Sequence, residues 1–218
     1  MSRTRDNWAD AAETRVLDAA LLLVAEHGWS AATVRRAAHA AGLSPGDMEL
    51  LMPGGPRDLA ALYARRLDHA MLDALAGLDP HGLKVRERIV RAVQARQDVA
   101  AEHEAATRRW AGFLALPTNL PLALRLQWDS ADAVWRWAGD TATDENHYSK
   151  RAILSAILGS ALIVRLSAGK AEADAYVQRR VGDVMAFEKW KAGVKPADIG
   201  ARLAAALARW RYGRTVAS

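Results

Sequence analysis

Residues 17–59 read LDAALLLVAEHGWSAATVRRAAHAAGLSPGDMELLMPGGPRDL, and this stretch decides the fold. Its apolar residues recur at helical spacing, with no strand alternation. Val16, Ala20, Leu23 and Val24 share one face of a helix expected over 8–27, which stops at Gly28. A second, short helix is expected over 31–41 and is stopped by Gly42. Ser44 is a good N-cap for a third over 45–51, with Pro45 at the first helical position, where its missing N–H is not needed. The loop Met52-Pro53-Gly54-Gly55-Pro56 then separates this tri-helical unit from the rest.

Working outward, the pattern stays helical. Further helices are expected over 57–78, closed by Asp79-Pro80-His81-Gly82, and over 84–104. Two or three more fall in a Trp-rich block with breaks at Pro117, Pro121 and Gly139. A long apolar helix over 146–166, capped by Thr143 or Asp144, precedes helices over 172–192 and 196–212. Apolar residues make up 51% and charged residues 25%, with alanine and leucine abundant, which is the balance of a helical globular protein. The fold class is all-α. Three parts are expected: a helix-turn-helix subdomain over 1–55, a larger helical region over 56–193, and a C-terminal amphipathic helix over 194–218.

Several function classes are excluded early. There is no cysteine, hence no disulfide, thiolate nucleophile or Cys-based zinc site. His27, His39, His69, His81, His103 and His147 show no i, i+3 or i, i+4 pairing, and no Glu-x-x-His occurs. Gly54-Gly55 lacks the Lys-Ser/Thr of a phosphate loop. The expectation is therefore no catalytic residue, no metal, no cofactor and no enzyme activity. The N-terminus carries no apolar signal core and is interrupted by Asp6, Asp10 and Glu13. The longest apolar stretch, 152–164, is broken by Ser155 and Ser160 and reads as too short to span a bilayer. The expected location is cytoplasmic, peripheral on the inner face of the cytoplasmic membrane. A net charge of +5 admits two polyanionic partners, nucleic acid or an anionic membrane surface.

The densest block, 108–151, holds Trp110, Trp128, Trp135 and Trp137, half of the chain's eight tryptophans, around a Pro-Thr-Asn-Leu-Pro elbow. Trp128 and Trp135 are seven apart and share a helical face, whereas Trp137 lies well round from Trp135. Core packing is the commoner fate of such aromatics; the alternative is the wall of a cavity for an apolar ligand. Ser155, Ala156, Gly159 and Ser160 raise the same choice between close helix packing and room for a lipid chain. In the last helix Ile199, Leu203, Ala206, Leu207 and Trp210 fall within an arc of roughly 100°, edged by Lys195, Arg202, Arg209, Arg211 and Arg214. Ile199, Arg202, Leu203, Leu207, Arg209 and Trp210 are thus membrane-contact candidates, arginines snorkelling to headgroups and the indole at the interface. The competing reading docks that helix on the protein itself.

The N-terminal unit resembles the DNA-binding module of TetR-type repressors in Glu26-His27-Gly28-Trp29, in Thr33-Val34 and in Ala40-Ala41-Gly42-Leu43-Ser44. The resemblance implies a TetR-like helical fold whose third helix would enter the major groove. This chain departs from the pattern there: Asp47, Met48 and Glu49 replace the usual Thr-Leu-Tyr, and Gly54-Gly55 stand where a Ser-Lys pair is usual. Two carboxylates facing a polyanion, and a missing phosphate-binding lysine, argue against DNA as a partner. Arg35 and Arg36 remain.

A second resemblance covers residues 14–190. Leu116-Pro117-Thr118-Asn119-Leu120-Pro121, Trp137-Ala138-Gly139-Asp140 and Thr143-Asp144-Glu145-Asn146-His147-Tyr148-Ser149-Lys150-Arg151, with the loop 52–59, resemble the ubiquinone-biosynthesis accessory family called Coq nine. His147 stands where that family often has tryptophan. The resemblance implies a non-catalytic, TetR-like homodimer that binds isoprenoid lipids or quinone precursors at a membrane and presents them to a di-iron quinone hydroxylase. On that footing Leu114, Leu116, Leu120, Leu124, Trp128, Ala156 and Leu162 are candidates for the lipid-binding wall. Asp144, His147, Tyr148, Lys150 and Arg151 are candidates for partner binding, the aromatics as anchors and the charges as rim. The alternatives are a TetR-type transcriptional regulator with a hydrophobic effector, and a dimeric scaffold with a filled core.

Overall fold

The computed structural model describes residues 2–140 and 145–193. The chain divides into two units, 1–178 and 179–218. The described residues are all-α, with no strand among them. The order is α1 (Ser2–His27), α2 (Ala31–Ala40), α3 (Pro45–Leu51), α4 (Pro56–Leu75), α5 (Val85–Ala101), α6 (Glu104–Leu114), α7 (Leu120–Trp137) and α8 (Glu145–Gly193). The two helices expected over 146–166 and 172–192 are both present, broken at Gly169, whose φ of 83° and ψ of −174° leave the helical region; the two halves together are labelled α8. The helix expected over 84–104 ends earlier, at Ala101, and α6 starts three residues on.

One hydrophobic core runs through the first unit. Val16, Leu17, Ala20 and Val24 of α1 pack with Val34 and Ala37 of α2, Leu59, Tyr63 and Leu67 of α4, Val99 and Ala100 of α5, Trp110 and Leu114 of α6, Leu126 of α7 and Leu162 of α8. The expected face of α1 is shifted slightly toward Leu17, with Leu23 only half-buried. Three aromatics knit the middle: Trp29 lies 5.4 Å from Tyr63, and Tyr63 meets Trp110 edge-on at 5.8 Å. All their polar groups are satisfied. The Trp29 indole N–H donates to the Ala106 carbonyl at 3.3 Å, and that of Trp110 to Ala60 at 3.0 Å. Thr107 donates its hydroxyl to the Ala100 carbonyl at 2.6 Å, so at the 2.6 Å Tyr63–Thr107 contact the tyrosine is the donor. Burial pushes the Tyr63 phenol up, against the opposing pull of Thr107, which keeps that donor protonated.

The sequence signals at the helix ends act as read. Ser30 accepts from the Thr33 N–H at 3.2 Å, and Ser44 from the Asp47 N–H at 3.1 Å. The Asp47 carboxylate in turn accepts from the Ser44 N–H at 3.0 Å and the Ser44 hydroxyl at 2.7 Å, closing a capping box. Those hydrogen bonds hold Asp47 below the usual carboxylate range. Asp58 plays a similar part at the start of α4, accepting from the Gly54 N–H at 2.6 Å. Surface pairs Arg65–Glu13 and Arg66–Asp18 tie α4 to α1.

Candidate functional site

The Trp-rich block builds an elbow and a helix pair. At the elbow, Arg57 donates to Asn119 Oδ1 at 3.0 Å and to the Thr118 carbonyl at 3.1 Å, while Asn119 donates to the Phe113 carbonyl at 2.9 Å. Leu116-Pro117-Thr118-Asn119-Leu120-Pro121 is therefore a clip that fixes the α6–α7 turn to the start of α4. Past it, α7 and α8 run antiparallel: the Trp135 indole donates to the Lys150 carbonyl at 3.2 Å, and the Ser155 hydroxyl reaches the Gln127 carbonyl at 3.2 Å.

The closed end of this pair is an ion cluster. Arg151 Nε donates to Asp132 at 2.6 Å and Arg151 Nη1 to Asp140 at 3.2 Å; Lys150 donates to Asp140 at 2.8 Å and sits 5.3 Å over the Trp135 ring. Burial would raise the Asp140 carboxyl, but hydrogen bonds and charge from Lys150 and Arg151 outweigh it and hold the group below its usual range. The adjoining Gly139, at φ 84°, ends α7, and Arg88 donates to the Ala138 carbonyl beside it at 2.7 Å. Trp137-Ala138-Gly139-Asp140 is thus a helix stop plus the anchor for Lys150 and Arg151.

This corrects part of the sequence reading. Arg151, expected on the rim of a partner surface, is 2% exposed and held between two aspartates. Lys150 is half-buried and engaged within the chain. Tyr148 is where a surface anchor should be, 64% exposed, its ring 6.1 Å from Trp128. Asp144 and the His147 side chain lie outside the described residues, as do Ile199, Arg202, Leu203, Leu207, Arg209 and Trp210.

The seven lipid-wall candidates do not converge on one enclosed cavity. Leu114 and Leu162 are buried in the core. Leu116, Leu120 and Leu124 are exposed, Ala156 is exposed, and Trp128 is half-buried. Leu120, Leu124, Trp128 and Ala156 belong to an open apolar face. Leu120, Leu124 and Trp128 recur every four residues along α7; Tyr148, Ala152 and Ala156 do so along α8, with Ile163 exposed farther on. The two rows meet where Trp128 touches Tyr148.

The expectation that serines shorten the apolar stretch of α8 also fails. Ser155 donates to the Arg151 carbonyl at 2.7 Å, with the longer approach to Gln127 beside it, and Ser160 donates to Ala156 at 2.6 Å, so both hydroxyls are met by backbone carbonyls. By length and composition Tyr148–Val184 is long and apolar enough to cross a membrane, a test that core helices also pass. One side of it, Leu154, Ile157, Leu158 and Ala161, is buried in the protein.

Sequence reasoning missed the interior polar groups. Asp68 of α4, buried, accepts from Arg96 of α5 at 2.7 Å and from the Ser130 hydroxyl of α7 at 2.8 Å. Gln97 is 4% exposed, and its amide donates to the Leu158 carbonyl at 3.4 Å. Arg96 and Gln97 carried a signal: Arg96 lies seven residues on from the buried Ile89, and Gln97 four on from the buried Val93, both helical spacings. Elsewhere, Lys84, Arg86 and Arg91 wall a groove of about 550 Å³ beside α5. Among the described residues no group of three or more His, Asp or Glu could hold a metal ion.

The face and the cluster fall inside a segment with known counterparts. Residues 120–188, which are α7 and most of α8, match the model of the COQ9 family. Three curated proteins named "Ubiquinone biosynthesis protein COQ9, mitochondrial" are similar to the chain. The Rattus norvegicus protein is 27% identical over 180 residues, covering 78% of this chain and 58% of the relative. Those of Bos taurus and Homo sapiens are each 28% identical over 180 residues, again 78% of this chain, and 56% and 57% of the relatives. The chain is thus similar to COQ9 proteins over most of its length, and to the COQ9 family model over α7 and most of α8. It spans a little over half the length of these COQ9 relatives. All three COQ9 relatives are mitochondrial by name, which overturns the expected placement on the inner face of the cytoplasmic membrane.

Proposed function

We propose that this chain is a non-catalytic, lipid-binding accessory protein of ubiquinone biosynthesis, acting as a homodimer that presents isoprenoid quinone precursors to a di-iron hydroxylase at a membrane. The observation that carries the reading is the open apolar face of α7 and α8, with Leu120, Leu124, Tyr148 and Ile163 all more than half exposed inside the COQ9-matched segment. A folded chain that leaves such residues contiguous and uncovered has a use for them as a contact surface. An isoprenoid tail gains about 0.8 kcal/mol for each CH₂ it keeps out of water. A row of leucines beside an aromatic pair offers that gain along one side of the tail, with the other side closed by membrane, partner or second copy. Tyr148 is the anchor on the partner side, where the ion cluster behind it holds α8 rigid. The segment 194–218 supplies the membrane contact, with Ile199, Leu203, Leu207 and Trp210 as its apolar residues and Arg202 and Arg209 as its basic ones.

The test is mass spectrometry of the organic extract from gently purified protein, against a mock purification and against a Leu120→Glu, Leu124→Glu double variant. The expected result is an enriched polyprenylated ring compound that the variant loses. A clean blank from wild-type protein defeats the proposal.

A further inference from the structure

The groove beside α5 is built from one helix face. Glu87, Arg91 and Gln94 recur at spacings of four and three along α5, with Lys84 at its cap and Arg86 on the adjoining flank. From Lys84 to Arg91 the helix rises about 10 Å, a distance that long basic side chains can close from both ends. Gln178 of α8 lines the groove as well, and Arg86 Nη2 reaches its backbone carbonyl at 3.4 Å. The volume of about 550 Å³ is that of a small-ligand site.

The charges around it are not answered within the protein. Elsewhere arginines are matched: Arg66 with Asp18, Arg88 with the Ala138 carbonyl, Arg96 with Asp68, Arg108 with Glu104. The side chains of Lys84 and Arg91 have no ion pair or hydrogen bond among the described residues, and Arg86 has only its long contact to Gln178. Glu87 is the one carboxylate among the described lining residues. Its Oε2 accepts from the Lys84 N–H at 3.1 Å, so it is already engaged in capping α5. Three cations therefore line one concavity against a single, occupied carboxylate. A cleft with one prevailing sign of charge concentrates its field on an ion of the opposite sign.

We propose that this groove is a phosphate-binding site, with Lys84, Arg86 and Arg91 donating to the oxygens of a diphosphate or phosphate-ester group. Two guanidinium forks and an ammonium offer more donors than a planar carboxylate can accept, and a tetrahedral phosphate can take them all. The amide of the half-buried Gln94 supplies a further donor at the same face. The proposal is independent of the isoprenoid reading, since none of these residues belongs to the open face of α7 and α8.

The experiment takes the full chain at low ionic strength, where such contacts are least screened. Two probes are used: calorimetric titration with inorganic pyrophosphate, and co-sedimentation with phosphatidylcholine vesicles containing phosphatidylglycerol. Wild type is compared with a Lys84→Gln, Arg91→Gln double variant and with an Arg35→Gln, Arg36→Gln control, which removes the same charge from exposed positions on α2. Lys84 and Arg91 are exposed, so the groove variant is expected to keep its helicity. Pyrophosphate should bind wild type and control alike, and the groove variant about tenfold more weakly. If pyrophosphate does not bind but the groove variant alone loses vesicle binding about tenfold, the phosphate is that of a lipid headgroup. If neither probe loses more affinity in the groove variant than in the control, net charge is acting and the site is refuted.

Discussion

Two aromatic clusters in this chain use the same residue types to opposite ends. In the first, Trp29, Tyr63 and Trp110 are all buried, and each N–H and O–H is matched to a carbonyl or hydroxyl on another helix. In the second, Trp128 is half-buried and Tyr148 is exposed, at the junction of two apolar rows. The first cluster shows what a structural aromatic costs and returns: large apolar burial with its polar handle fully answered. The second leaves apolar surface exposed, and the proposed interaction site rests on that difference.

The comparison breaks most sharply at Trp110. Trp110→Ala removes a 2%-exposed indole between α4 and α6 and should destabilise the protein by about 3–5 kcal/mol in chemical denaturation. If Tyr148→Ala costs as much, the two clusters are not different in kind.

Arg151→Met should follow closely, at about 3–5 kcal/mol near neutral pH, because Asp132 and Asp140 lose a buried partner. Here pH provides a second handle. Asp140 titrates below its ordinary value of 3.8 in the folded protein, so its contribution is complete above that value. It is lost as pH falls through the lower folded value. The stability gap between wild type and Arg151→Met should therefore narrow in acid; a gap unchanged down to about pH 2 removes the cluster from the account.

Thr107→Val is smaller. It deprives the Tyr63 hydroxyl of its buried acceptor and should cost about 1–3 kcal/mol, with Tyr63→Phe in the same background recovering part of the loss. The smallest stability effect belongs to Tyr148→Ala, under about 1 kcal/mol, since that side chain is mostly in solvent. Its expected readout is loss of hydroxylase capture in a pull-down with bound lipid retained. Undiminished capture would move the partner surface away from Tyr148.

The α3 start bears on the DNA alternative. Asp47 is anionic and tied into the capping box of α3, and Glu49 is exposed on the same short helix. The sequence showed the carboxylates; that one of them is a structural cap became visible only with Ser44 beside it. Both facts place negative charge where a DNA-reading helix would need donors.

Legibility varied by the kind of signal. Ser44, Gly28, Gly42 and Pro45 announced helix boundaries because capping and φ preferences are local, and the observed ends agree to within a residue or so. Arg151 misled because an arginine beside an exposed tyrosine reads as surface. Its burial depends on Asp132 and Asp140, contributed by α7 and by the turn that ends it. The leucines of the block misled in the opposite sense: helical spacing says that Leu120 and Leu124 share a face, but not whether that face is covered.

What the sequence determined by itself is the all-α class and the ends of the first three helices, since each is written in short-range spacing and local capping. Tertiary structure alone decided which apolar face stays open, which arginine is buried, and which polar side chains, Asp68, Arg96 and Gln97, lie inside the bundle. Those properties belong to pairs of helices distant in the chain, and burial of a side chain is a fact about its neighbours in space.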